Sequence, residues 1–240
     1  MQKKLKYFIY SLIILLTFAI GNGIYADIPV EDLKNEYANE QSQFIEVNEM
    51  NVHYRDEGEG FPIVLIHGTA ASLHTWDAWT DDLKKTNRVI RMDLPAFGIT
   101  GPNINADYSL QAYTYFLNSF IEKLKLKKFH LAGNSLGGNI AWNYAADHPD
   151  MVEKLILVDA SGLPTNKQPP SIFKMAKNPL LKNLFLYVTP KMLIKKNIEE
   201  VYADDSKITE ELVNRYHKMA LRVGNRKAFI DRAKTDFGSD

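Results

Sequence analysis

Short apolar runs and stretches of helical period alternate along most of this chain. Phe44-Ile45-Glu46-Val47 and Val52-His53-Tyr54-Arg55 alternate apolar with polar positions, which predicts a half-exposed antiparallel hairpin. Ile63-Val64-Leu65-Ile66 is an unbroken apolar run, and Val89 to Met92, Phe129 to Ala132 and Leu155 to Val158 repeat that character. Such runs predict strands buried on both faces of a parallel sheet. Helices are predicted between them. One covers Asp77 to Lys85. A second is capped by Ser109 and carries Leu110, Tyr113, Leu117, Phe120, Ile121 and Leu124 at helical spacing. A third runs from Ser135 to Asp147 and stops at His148-Pro149.

After Gly162 the pattern changes. Five prolines interrupt a stretch rich in Phe, Leu, Met and Lys, and helices follow over Ile208 to Val223 and Lys227 to Lys234. The expected organisation is a core over residues 44–162, a helical lid over 163–240 and a polar linker with some helix over 27–43. At the N-terminus Lys3, Lys4 and Lys6 precede an apolar run from Tyr7 to Ile20 that covers every helical face. A basic flank, an apolar core and a small-residue end are the parts of a secretory signal peptide. Extended to Tyr25, the run also approaches the roughly 20 residues that span a bilayer. Residues 1–26 are therefore expected to be a hydrophobic helix, either an uncleaved anchor or a cleaved signal. The bulky Ile24 before the candidate cleavage site favours the anchor. The lysines place the N-terminus in the cytoplasm and the rest of the chain outside, held at the cell membrane or exported.

Composition narrows the chemistry. Lys plus Arg and Asp plus Glu are 29 each, so the formal net charge is zero, and no basic stripe suggests nucleic acid. Without cysteine the chain has no thiolate catalysis and no cysteine-based metal site. No cofactor and no metal are expected.

Two motifs carry candidate chemistry. Gly133-Asn134-Ser135-Leu136-Gly137 lies between a predicted strand and a predicted helix, the context in which G-x-S-x-G forms a nucleophile elbow. A tight turn there strains Ser135 and lifts its hydroxyl above the sheet. Side chains at Gly133 and Gly137 would collide with neighbouring elements. The second motif, His67-Gly68-Thr69-Ala70-Ala71-Ser72, follows the strand ending at Ile66. Acyl transfer needs two preorganised donors for a developing oxyanion, each typically supplying roughly 3 to 4 kcal/mol. The backbone N–H groups of Leu136 and Thr69 are the candidates. His67 is read as a residue that fixes the loop.

His67-Gly68, Trp76, Asp93-Leu94-Pro95-Ala96-Phe97-Gly98, the elbow with Gly138, His148-Pro149 and Leu157-Val158-Asp159-Ala160 occur in this order. Over roughly residues 44–240 the chain resembles the α/β-hydrolase superfamily, in the branch of small esterases and C–C bond hydrolases. The resemblance implies a mostly parallel twisted sheet with a helical lid. Serine at the nucleophile position implies esters, thioesters, amides, lactones or C–C bonds flanked by carbonyls. Ala96 departs from the family, which usually has glycine there, and a changed turn is expected.

The triad order of this fold is serine, then acid, then histidine. After Ser135 the only histidines are His148, at the far end of the following helix, and His217, expected on a solvated helix face. Asp159, at the end of an apolar run, is a possible acid, though a turn role is favoured. The expectation is a hydrolase cut short after the lid, lacking the last two strands and a full triad. Its substrate would be a small apolar carbonyl compound, favoured by the apolar lid residues Phe173, Met175, Phe185 and Tyr187, each of which is read first as lid core and second as substrate contact. The competing expectations are a non-catalytic binding protein and an inactive fragment.

Overall fold

The computed structural model describes residues 6–7, 10–11, 21, 23–162, 171–178 and 183–235. Its centre is a six-stranded sheet: β1 (Ser42–Val47), β2 (Met50–Glu57), β3 (Phe61–Ile66), β4 (Asn87–Met92), β5 (Phe129–Asn134) and β6 (Val152–Val158), in the order β1-β2-β4-β3-β5-β6. The β1–β2 hairpin is antiparallel and turns at Asn48 and Glu49, both with positive φ. β2 pairs antiparallel with β4, and all pairings beyond it are parallel. The sheet is therefore mostly parallel, as the apolar runs suggest. Val64 and Ile66 of β3, Ile90 and Met92 of β4 and Phe129 and Leu131 of β5 are fully buried within one large core.

β6 differs from expectation. It is read from sequence as a strand covered on both faces, yet Leu155 and Leu157 are 39% and 41% exposed. It is the outermost strand among the described residues, so nothing described pairs with its outer edge. An apolar run fixes strand character, but coverage depends on neighbours outside the run.

The helices are α1 (Val30–Tyr37), α2 (Asp77–Leu83), α3 (Leu110–Lys123) and α4 (Leu136–Asp147) around the sheet. In the lid they are α5 (Ser171–Lys177), α6 (Lys191–Glu199), α7 (Glu210–Ala220) and α8 (Asn225–Lys234). The Ser109 hydroxyl accepts from Ala112 N–H at 3.1 Å, so it caps α3 as its residue type dictates. Tyr113, Phe116, Leu117, Phe120 and Ile121 form the buried stripe of that helix.

Residues 27–43, expected as a linker with some helix, do contain α1, and the segment is docked rather than free. Leu33 is fully buried with Ile99 and Met219. Just before α1, residues 23–28 cross the lid. Thr189 N–H donates to Gly23 O at 2.7 Å, Ile28 N–H to Leu221 O at 2.7 Å and Val223 N–H to Ile28 O at 3.0 Å. Most of the proposed hydrophobic helix over residues 1–26 lies outside the described residues. Among those described, no helix is long and apolar enough to cross a membrane.

Candidate active site

The elbow forms where β5 meets α4. Ser135 has φ 50° and ψ −116°, a conformation that L residues rarely adopt and that costs of order 1–3 kcal/mol. The neighbours enforce it. Ser135 N–H donates to Val158 O at 3.0 Å, and its carbonyl accepts from Asn139 N–H and Ser161 N–H. The glycines are required by contact. A Cβ at Gly133 would sit 2.2 Å from Gly137 O, and one at Gly137 would sit 2.3 Å from Ile66 O. Ser135 is half-buried, and among the described residues its hydroxyl has no hydrogen-bond partner.

The loop after β3 lies against this turn. A Cβ at Gly68 would be 3.1 Å from Ser135 Cβ and 2.9 Å from Asn134 Oδ1, so only glycine permits the approach. Leu136 opens α4, where the first N–H groups have no partner within the helix, and Thr69 N–H engages no described acceptor. The helix end adds positive potential at the same place. His67 holds the loop. It is fully buried, its Nδ1–H donates to Gly68 O at 2.7 Å and its Nε2 accepts from Leu94 N–H at 2.9 Å. Burial pushes its pKa down, which keeps the imidazole neutral with both nitrogens occupied.

None of the chain's six histidines is hydrogen-bonded to Ser135. His148 caps the far end of α4 and stacks on Tyr144 at 4.3 Å. His217 corrects an expectation. It is buried rather than on a solvated face, it donates from Nε2 to Thr189 O at 2.8 Å, and it meets Tyr25 edge-on at 4.5 Å. The strap at residues 23–28 covers the face that α7 alone would leave in water. Asp159 follows β6 with φ 45°, exposed and without a described partner.

The sequence gives no hint of another arrangement, a hydrogen-bonded Ser–His–Asp chain away from the elbow. His53 Nδ1–H donates to Asp93 Oδ2 at 2.8 Å, and His53 Nε2 lies 2.9 Å from Ser42 Oγ. His53 and Asp93 are fully buried. Burial alone would raise the Asp93 carboxyl. The adjacent His53, with Leu73 N–H at 2.8 Å and Ile99 N–H at 2.9 Å, overcomes this and holds it well below the usual carboxylate range. Ser42 Oγ already accepts from Asn39 N–H at 3.1 Å and Arg55 Nε–H at 3.2 Å. Both of its lone pairs are filled, and its one hydrogen faces Asn39 Oδ1 at 3.2 Å as well as His53 Nε2. The loop after Asp93 holds the motif's departure from glycine under strain: Ala96 has φ 82°, a value suited to glycine.

Beside the loop after β3, at Ala70 and Ala71, an apolar cavity opens beneath the lid. Phe185 lines it directly, and Phe173 packs on Phe229 of its wall at 5.7 Å. Tyr187 is 66% exposed and does not line it.

A sequence model described as alpha/beta hydrolase fold matches residues 62–185, more than half of the chain. The chain belongs to the α/β-hydrolase family. A 2-hydroxy-6-oxo-2,4-heptadienoate hydrolase of Pseudomonas putida is 28% identical over 184 residues, 75% of this chain and 62% of that protein. A 2-hydroxymuconate semialdehyde hydrolase of Pseudomonas sp. (strain CF600) is 33% identical over 116 residues, 47% of this chain and 40% of that protein. The matches thus span between two fifths and about three fifths of these relatives' lengths. Among solved structures, a meta-cleavage product hydrolase from Pseudomonas fluorescens IP01 superposes with a TM-score of 0.66 at 24% identity, covering 80% of this chain and 70% of that one. The fold of this family member is thereby shared with C–C bond hydrolases.

Proposed function

We propose that Ser135 is the nucleophile of a hydrolase acting on an ester, thioester or related carbonyl compound with an apolar body. The N–H groups of Thr69 and Leu136 receive the developing oxyanion. The observation that carries this reading is the strained Ser135 turn, against which the loop of Gly68 and Thr69 is packed, with no described partner for the Ser135 hydroxyl or for the Thr69 N–H. A backbone held at φ 50° persists only where its surroundings over-determine it, and such strain clusters at functional sites. The relatives named as hydrolases of 2-hydroxy-6-oxo-dienoates and of a semialdehyde support a carbonyl substrate. The lid cavity supports its apolar body.

In the chemical step Ser135 Oγ would form a bond to the carbonyl carbon and surrender its proton to a base. Asp159 belongs to the proposal only as an acid that would orient such a base, since no histidine is bonded to it here. This gap favours a second reading, a binding protein that keeps the elbow without turnover. A fluorophosphonate probe separates the two, because it labels only an activated serine. Strong labelling of the chain, lost in Ser135→Ala, supports the hydrolase. Absence of labelling in a folded protein that still binds an apolar ligand supports the binding reading.

Tethering at the membrane through residues 1–26, with export of the remainder, completes the proposal. Recovery of the intact chain in the soluble cytosolic fraction would overturn it.

A further inference from the structure

The first half of the lid is charged unlike the rest of the chain. From Ala160 to Ile198 there are seven lysines and no Asp, Glu, Arg or His. The whole chain balances 29 cationic against 29 acidic residues, so this stretch carries a surplus that the remainder offsets.

Its elements have two faces. Ile172 of α5, Phe185 of the short 3-10 turn Leu184–Leu186, and Leu193 and Ile194 of α6 line the lid cavity. The residues that turn away from it stand in water. They are Lys174 and Lys177 on α5, Leu184 and Tyr187 at the turn, and Met192, Lys195 and Lys196 on α6. Met192 is 75% exposed. Spaced three and four apart, Met192, Lys195 and Lys196 share one face of α6. Lys191 is drawn aside to Glu210 at 2.9 Å, and the first acid on α6 is Glu199 at its end.

The exposed apolar residues are neighbours rather than scattered. Tyr187 and Val188 both donate their N–H groups to Leu184 O, and Pro190 leads directly into α6. The strap adds to the same edge. Ile24, itself exposed, pairs with Val188, and Gly23 O accepts from Thr189 N–H. A contiguous apolar patch set among cations marks an interaction site. A bilayer surface meets both parts of it: aliphatic and aromatic tips enter the headgroup boundary while lysines remain at the anionic phosphates. A nucleic acid would satisfy the lysines and leave Leu184 and Met192 in water.

We propose that this outer face of the lid docks on an anionic lipid surface. The proposal goes beyond tethering through residues 1–26, because it assigns a contact to the lid itself, whether that segment is kept or removed.

The chain has no cysteine, so single thiols report single positions. Met192→Cys and, as a control on α3, Tyr115→Cys are made in the full chain and labelled with nitrobenzoxadiazole. Each is mixed with vesicles of phosphatidylcholine, alone or with phosphatidylglycerol, that carry a doxyl-lipid quencher. The label at 192 should be quenched on the anionic vesicles and the label at 115 should not. Raising salt to about 0.5 M should reverse the quenching. Lys195→Gln together with Lys196→Gln should shift the docking equilibrium against the membrane by about tenfold. Sedimentation with the vesicles reads tethering separately. A chain that sediments with both vesicle types while the label at 192 behaves like that at 115 is tethered but not docked, and the proposal fails. Quenching at 192 that is equal on neutral and anionic vesicles and unmoved by salt also overturns it. So does capture of the chain by single-stranded RNA with the label at 192 unquenched on vesicles, which would assign the lysines to nucleic acid.

Discussion

The chain holds two serines in opposite predicaments. Ser42 sits at the start of β1 beside His53, which bonds Asp93, but both lone pairs of its oxygen are occupied by Asn39 and Arg55 and Asn39 Oδ1 competes for its hydrogen. Ser135 sits on a strained turn and its oxygen has no partner among the described residues, but no histidine is bonded to it. A Ser–His–Asp hydrogen-bond chain is therefore not by itself a catalytic device. A nucleophile needs a lone pair that can reach carbon and a place for the oxyanion, and of these two serines Ser135 is the one proposed to have them.

Reactivity should divide the two most sharply. Ser135→Ala is expected to abolish fluorophosphonate labelling, while Ser42→Ala leaves its intensity within about twofold; peptide mapping that found the label on Ser42 would reverse the comparison. Stability should divide them the other way. Asp93→Ala removes the acceptor of His53, Leu73 and Ile99 and should cost about 3–5 kcal/mol in urea unfolding. Ser135→Ala should change stability by less than about 0.5 kcal/mol, because its hydroxyl bonds no described residue.

Acid should also act on the buried imidazoles. Burial pushes His74 down to about 4 and lowers His67 and His217 as well. Each lies below its unfolded value near 6.5, so the unfolded chain binds more protons in acid. The stabilisation is complete above pH about 6.5 and is lost as pH falls from there towards 4, so the urea midpoint should drop across that window. The smallest effect concerns the loop around Asp93. Ala96→Gly should stabilise by about 1 kcal/mol by relieving the positive φ, with labelling of Ser135 unchanged.

The elbow was legible in the sequence because every requirement is local. Gly133, Ser135 and Gly137 lie within five residues, and the strand before and helix after them have their own periodicity. Strands β1 to β5 and helix α3 with its Ser109 cap follow from local pattern in the same way. What was not legible depends on partners distant in sequence. His53 and Asp93 are 40 residues apart, and no spacing rule joins them. His217 reads as solvent-facing on the pattern of α7 alone, and only residues 23–28, crossing from the other end of the chain, bury it. The exposure of Leu155 and Leu157 is likewise a property of the neighbourhood of β6, not of its composition.

That crossing segment also sets an order of events in folding. Asp27 pairs with Arg226 across 199 residues of chain, and Ile28 hydrogen-bonds Leu221 and Val223. During synthesis the segment emerges before its partners on α8 and in the turn between α7 and α8. Closing so long a loop comes late, after local hairpins and helices are made. Leu33 must wait in solvent until Met219 arrives to cover it. The burial of Leu33 is thus a checkpoint that local folding cannot pass: it closes only when two segments made far apart in time have met.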